Sequence, residues 1–143
     1  MALEIHHRQT EGIEILDLKG CLTIGDEDAA VRNELQRLLR AGKQKLILNL
    51  EHITDIDTAG LETLMFAATT FSDAGGKVVL LHLHPSHMEL FVLFKLEMVF
   101  EVFDDESEAV NSFFPERAVK RVDVLSLVRS FKQQSGSETE PSK

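Results

Sequence analysis

Hydrophobic residues follow two patterns along the chain: short continuous apolar runs, and stretches in which they recur every three or four residues. The runs predict strands, because a strand covered on both faces of a sheet is apolar almost throughout. The spaced stretches predict amphipathic helices. The predicted strands are 3–8, 13–19, 45–50, 77–83 and 99–103, and the predicted helices are 27–41, 58–72, one from Pro85 and one within 104–114.

The order of these elements, ββαβαβαβα, favours an α/β fold. A turn at 10–12 that contains Gly12 makes the first two strands a β-hairpin. Helices that alternate with apolar strands imply parallel strands joined by right-handed crossovers. The pattern therefore predicts one domain over 1–114 with a mixed, mainly parallel sheet, an N-terminal hairpin and interleaved helices.

The residues after this domain differ from it in charge. Residues 1–114 contain 9 Lys and Arg against 20 Asp and Glu, whereas 115–132 contain 5 against 2. Segment 115–132 predicts a basic amphipathic helix, and 133–143 predicts a disordered tail because it has no apolar residue. Three alternatives stay open for the helix: packing onto the acidic domain, docking onto another protein, or contact with an anionic membrane surface.

Composition narrows the class of protein. The chain has 143 residues, of which 43% are hydrophobic and 27% charged, as is typical of one water-soluble domain. Its net charge of -9 disfavours direct nucleic-acid binding. Cys21 is the only cysteine, so neither an internal disulfide nor a Cys-ligated metal site is expected. The chain has no apolar stretch of about 18 residues, so stable membrane insertion is not expected. We expect a cytoplasmic location.

The junction between strand 45–50 and helix 58–72 is the strongest candidate for a functional site. The Thr58 hydroxyl is expected at the start of the helix, near the carboxyl edge of the sheet, where α/β proteins usually place function. A phosphate on Thr58 would meet free backbone N–H groups and the positive end of the helix dipole. Asp57 is expected to orient or cap the turn, and Gly60 permits close approach of a partner or a neighbouring strand. On the residues alone, a plain N-cap at Asp57 or Thr58 remains the alternative.

The motif Ile-Asp-Thr-Ala-Gly-Leu at 56–61, between the strand LILNL and an apolar helix, resembles the STAS domain of anti-sigma-factor antagonists. The resemblance covers about residues 3–114. It also includes Gly20 after the hairpin, a helix beginning near Gly25-Asp26, the strand GGKVVLL and the segment 100–113. It implies a STAS-like α/β fold, whereas the predicted C-terminal helical extension lies beyond the family's core and receives no function from the resemblance.

The resemblance also implies a function: an anti-sigma-factor antagonist, which is a binding protein without enzymatic turnover, metal or cofactor. In that family the Ser or Thr after the motif Asp is phosphorylated by the anti-sigma factor, itself a serine/threonine kinase, and a PP2C-type phosphatase restores the binding form. This assigns phosphorylation to Thr58. Many relatives carry a second Ser where this chain has Ala59. The expected partner-binding residues are Asp26, Asp57, Thr58, Ala59, Gly60, Leu61 and Glu62.

Two alternatives to this function stay open. The chain could be a STAS scaffold or a transporter-associated module that binds proteins without phosphorylation. Self-association as a homodimer also stays open. The apolar run 88–100 predicts core, but because it is apolar nearly all round, part of it could form an exposed patch for a partner or a second copy.

Two further motifs do not predict a site. His82, His84 and His87 could gather imidazoles, but no carboxylate or Cys follows at a familiar ligand spacing. The segment 75–77, Gly-Gly-Lys, follows a helix and leads into a strand, the reverse of the order in a phosphate loop, and is predicted to be a turn.

Overall fold

The computed structural model describes residues 3–139, except for the side chains of 26–28 and 134–139. The strands are β1 (Glu4–Thr10), β2 (Ile13–Leu22), β3 (Lys45–Ile56), β4 (Lys77–Leu81) and β5 (Val102–Phe103). The helices are α1 (Asp26–Arg40), α2 (Thr58–Asp73), α3 (Pro85–Leu93), α4 (Glu106–Asn111) and α5 (Val124–Thr139), with a 3-10 turn at Leu96–Met98.

The five strands form one sheet in the order β1-β2-β3-β4-β5. β1 is antiparallel to β2, and each later neighbouring pair is parallel. The hairpin turn consists of Glu11 and Gly12, whose φ angles of 50° and 81° are the left-handed values that a tight two-residue hairpin requires. The predicted fold, a mixed α/β sheet with an N-terminal hairpin and interleaved helices, is confirmed.

Both faces of the sheet are covered by helices. Successive strand side chains point to opposite faces, so the apolar run at 46–48 sends Ile47 to one side and its two neighbours to the other. The larger core cluster includes Leu48, Leu35, Leu64, Phe91 and Val128. The smaller cluster includes Ile47, Val79, Phe103, Ala109 and Val110.

β3 extends six residues beyond its predicted end at Leu50. The additional residues are mostly polar, and pairing with β2 keeps them extended as far as Cys21 opposite Asp55 and Leu22 opposite Ile56. β4 accompanies β3 only as far as Asn49 opposite Leu81. The end of β3 therefore projects beyond β4 at the carboxyl edge of the sheet.

The extension after residue 114 packs against the domain. The helix predicted over 115–132 begins only at Val124, because the preceding residues lie along the sheet edge, where the Val122 N–H donates to the Val102 carbonyl at 2.7 Å. Val124 and Val128 are each 3% exposed within the larger core cluster. α5 continues to Thr139, into the segment predicted to be disordered, and residues 140–143 lie outside the described part of the chain.

The apolar run 88–100 divides between core and surface. Met88, Phe91, Leu96 and Phe100 are buried, whereas Leu93, Phe94, Met98 and Val99 are exposed. Among the described residues, none of the helices is both long and apolar enough to cross a membrane.

Candidate functional site

Asp57 connects the start of α2 to the loop between β2 and α1. Its backbone is extended, and its carboxylate accepts from the Gly60 N–H at 2.9 Å, which makes it the N-cap of the helix. The other carboxylate oxygen accepts from the Ile24 N–H at 3.1 Å. These bonds, with that from Gly60 the strongest, hold the pKa of Asp57 below its ordinary value because they favour the ionised carboxylate.

Gly60 brings the first turn of α2 against the end of β2. A Cβ atom on residue 60 would lie 2.1 Å from the Leu22 carbonyl oxygen and 2.9 Å from a side-chain carbon of Ile56. The close approach that this glycine permits is therefore to a neighbouring strand. Leu61, which follows it, is 4% exposed. Two of the seven expected partner-binding residues thus face the interior of the domain.

Thr58 is exposed at the first position of α2. Within the part of the chain that the structure describes, its hydroxyl has no hydrogen-bond partner. Glu62, Met65 and Thr69 follow on the same exposed helix face at spacings of three and four residues. We call Thr58, Glu62, Met65 and Thr69 the α2 stripe. Ala59 lies half-buried beside it.

Ile24 is a surface residue that the sequence patterns did not single out. It is 77% exposed, and its backbone is held by the same carboxylate that caps α2. Ile24 and Thr58 therefore flank Asp57 at one edge of the sheet. The sequence indicates the exposure of Ile24 only weakly: it is a large apolar residue that stands alone in a loop and belongs to no periodic segment. Asp26 begins α1 two residues later, and its side chain lies outside the described residues.

The three clustered histidines have separate local roles. His84 caps α3, because its Nδ1 accepts from the Ser86 N–H at 3.0 Å. The His82 Nδ1 lies 3.8 Å from a carboxylate oxygen of Asp104. The half-buried His87 ring lies beside Thr54 on β3. Among the side chains that the structure describes, no group of three or more His, Cys, Asp or Glu residues is placed to hold a metal ion.

The Gly75-Gly76 segment is the turn between α2 and β4. The Gly76 N–H donates to the Phe71 carbonyl at 2.7 Å, which closes the end of the helix.

The model of the STAS domain family matches residues 4–109 of the chain. The chain belongs to the STAS domain family. The match ends within α4, so the basic segment and α5 lie beyond the STAS domain that the family model describes. Asp57, Thr58 and the α2 stripe all lie inside it.

Solved structures with the same fold include an anti-sigma factor antagonist from Mycobacterium paratuberculosis. It is 14% identical, with a TM-score of 0.67, and the match covers 78% of this chain and 93% of that one. The anti-sigma factor antagonist SpoIIAA in its unphosphorylated form is 18% identical, with a TM-score of 0.62 and coverage of 78% and 97%. The Bacillus cell fate determinant SpoIIAA in its phosphorylated form is also 18% identical, with a TM-score of 0.62, and the match covers 77% of this chain and 99% of that one. These similarities show a shared STAS fold.

Proposed function

We propose that this STAS protein is an anti-sigma-factor antagonist that binds a cognate anti-sigma serine/threonine kinase and is switched off when that kinase phosphorylates Thr58. The observation that carries the proposal is the exposed Thr58 hydroxyl at the first residue of α2. A kinase can reach this hydroxyl without local unfolding. Two solved structures of anti-sigma factor antagonists with this fold, and a structure of SpoIIAA in its phosphorylated form, support the proposal.

The surface around Thr58 suits protein binding. Ile24 is 77% exposed and Met65 is 36% exposed, so they supply apolar area on either side of a polar centre formed by Thr58 and Glu62. A partner that packs on these groups would surround the Thr58 hydroxyl. In this proposal the domain acts by binding its partner and catalyses no reaction.

Phosphorylation would weaken that interface by a local effect. It adds about 1.5 to 2 negative charges at a point that the bound partner has desolvated. A thousandfold loss of affinity requires about 4 kcal/mol, which burial of an uncompensated dianion readily supplies. The free domain keeps its fold, because the phosphate lies at the N-terminus of a helix and Thr58 has no hydrogen bond within the described residues to lose. A PP2C-type phosphatase would then restore the binding form.

The test is phosphate transfer followed by mass mapping. The full chain is incubated with purified anti-sigma kinases and ATP, beside Thr58→Ala and a matched control, Thr69→Ala, which removes the other exposed threonine of the α2 stripe. We expect one phosphate at Thr58 in the parent and in the control, none in Thr58→Ala, and a Kd about a thousandfold weaker after modification. Modification elsewhere, or an unchanged Kd, contradicts the proposal. Binding to a scaffold or transporter without any phosphate transfer supports the alternative STAS module.

A further inference from the structure

A cavity of about 520 Å³ lies where β3 projects beyond β4. β4 ends at Leu81, and the start of α3 lies beside the end of β3, where His87 and Thr54 line the same space. The space between the two elements remains open. The lining residues that bear on its chemistry are Lys19, Glu51, His52, Thr54, His84 and His87. Neither Thr58 nor the α2 stripe lines it.

Among the titratable side chains that line this cavity, four carry nitrogen and one, Glu51, carries a carboxylate. Lys19 contributes an ammonium that forms no ion pair with any described side chain. His52 is exposed, and its ring nitrogen lies 3.8 Å from Glu51, the one carboxylate in the lining. Because the His84 Nδ1 accepts the Ser86 N–H, the proton of a neutral His84 is on Nε2, where it can be donated to a ligand. Donors from two strands and one helix therefore line one space.

We propose that this cavity binds a small oxyanion of the size of sulfate or a phosphate monoester, held by Lys19, His52 and His84. An oxyanion accepts hydrogen bonds from an ammonium and from imidazole N–H groups together, and the bond from the ammonium is charge-assisted and therefore among the stronger ones. The volume is within the range of small-molecule sites. The site is separate from the proposed phosphorylation of Thr58, so each proposal can fail without the other.

Charged groups of both signs surround this site. The charged and titratable groups that face it are Lys19 from β2, Glu51, His52 and Asp55 from β3, and His84 and His87 from α3. Burial, and then the nearby His84 charge, lower the pKa of His87. The lowered pKa favours the neutral form of His87, so the Lys19 ammonium, and not His87, supplies positive charge to the site.

The probe is sulfate, which keeps the same charge from weakly acid to weakly alkaline pH. The full chain is titrated at constant ionic strength, with chloride as the replaced anion, and the imidazole resonances are followed by NMR. We expect saturable shifts at His52, His84 and His87 that fit one common Kd. Shifts that do not saturate, or that are as large at His6 on β1, overturn the proposal.

Two variants make the test specific. The double variant Lys19→Gln/His52→Gln removes two exposed donors and should weaken sulfate binding about tenfold or more. Glu51→Gln removes the carboxylate from the lining and should tighten sulfate binding. Glu116→Gln is the matched control, because it changes the net charge by the same amount at another place. Glu116 follows Pro115, which lines a separate cavity at the amino end of β3 and β4. Equal effects of the two Glu variants contradict the site, and so does normal binding by a folded double variant.

A second titration with O-phosphoserine distinguishes two sources of the oxyanion. Tighter binding of the monoester than of inorganic phosphate identifies a phosphate carried on a side chain, whereas equal binding identifies a free inorganic anion. Either result at the same three histidines supports the site. Absence of binding by all three anions overturns it.

Discussion

The carbonyl oxygen of Leu22 lies 2.1 Å from the point where residue 60 would carry a Cβ atom. Gly60 is therefore the residue that lets the start of α2 rest on the end of β2. Because Asp57 reaches from the same helix turn to the Ile24 N–H, the two contacts together hold the loop after β2 against the Thr58 turn.

Gly60→Ala should destabilise the domain, because the added methyl group meets backbone and the helix must move. We expect the free energy of unfolding to fall by about 1–3 kcal/mol, measured by urea denaturation. Gly76→Ala is the control for location: its Cβ would lie 2.2 Å from the Gln44 carbonyl oxygen, at the other end of the sheet. Both variants should lose stability, but only Gly60→Ala should alter the NMR resonances of Ile24 and Thr58. Full stability of Gly60→Ala would contradict the packing.

Asp57→Ala should remove the N-cap of α2 and the acceptor of the Ile24 N–H. We expect a loss of about 1 kcal/mol in the free energy of unfolding near neutral pH. Since the pKa of Asp57 is lower in the folded state, its contribution is present above the ordinary pKa of about 3.9. It is lost as the pH falls through the lower, folded-state pKa. Denaturation curves at several pH values should show the difference between parent and variant shrinking under acid conditions; a constant difference would argue against the ionised cap.

A negative charge at Thr58 should leave the isolated domain folded. Thr58→Asp places a carboxylate at the positive end of α2, and at low ionic strength this should raise the free energy of unfolding by about 0.3–1 kcal/mol. Thr69→Asp, on the same exposed face but nearer the C-terminus of the helix, should lower it. Thr and Asp have similar helix propensities, so the pair isolates the effect of position. Thermal unfolding tests whether Thr58→Asp is more stable than the parent and Thr69→Asp less stable. Equal shifts of the melting temperature in the two variants would contradict the prediction.

The C-terminal helix should unfold together with the STAS domain. Val128 is 3% exposed in the larger core cluster, and Val128→Ala removes two buried carbon atoms. We expect a loss of about 1.5 kcal/mol in one cooperative transition. Ser130→Ala, an exposed neighbour on α5, should change stability little. If Val128→Ala left the midpoint of the main transition unchanged, α5 would not belong to the cooperative unit.

The amino-acid sequence alone determined the order of the elements and the location of the Thr58 turn. Both depend on local information: apolar runs of strand length, helical spacing from Leu61 to Phe71, and Asp57 as the residue before the helix. Each of these signals is contained in a short stretch of sequence, so it can be recognised without knowledge of the contacts between distant residues. The prediction of a mainly parallel sheet followed from the alternation of strands and helices.

Tertiary structure alone decided what surrounds that turn. Pairing with β2 extends β3 through polar residues that have no strand pattern, and packing on β2 turns Gly60 inward. The exposure of Ile24 and the bond between Val122 and Val102 likewise depend on residues far apart in the chain. The cavity beside His84 exists because β4 ends before β3 does, which is a difference in length between two neighbouring strands. These features come from contacts between separate elements, and local periodicity carries no information about such contacts.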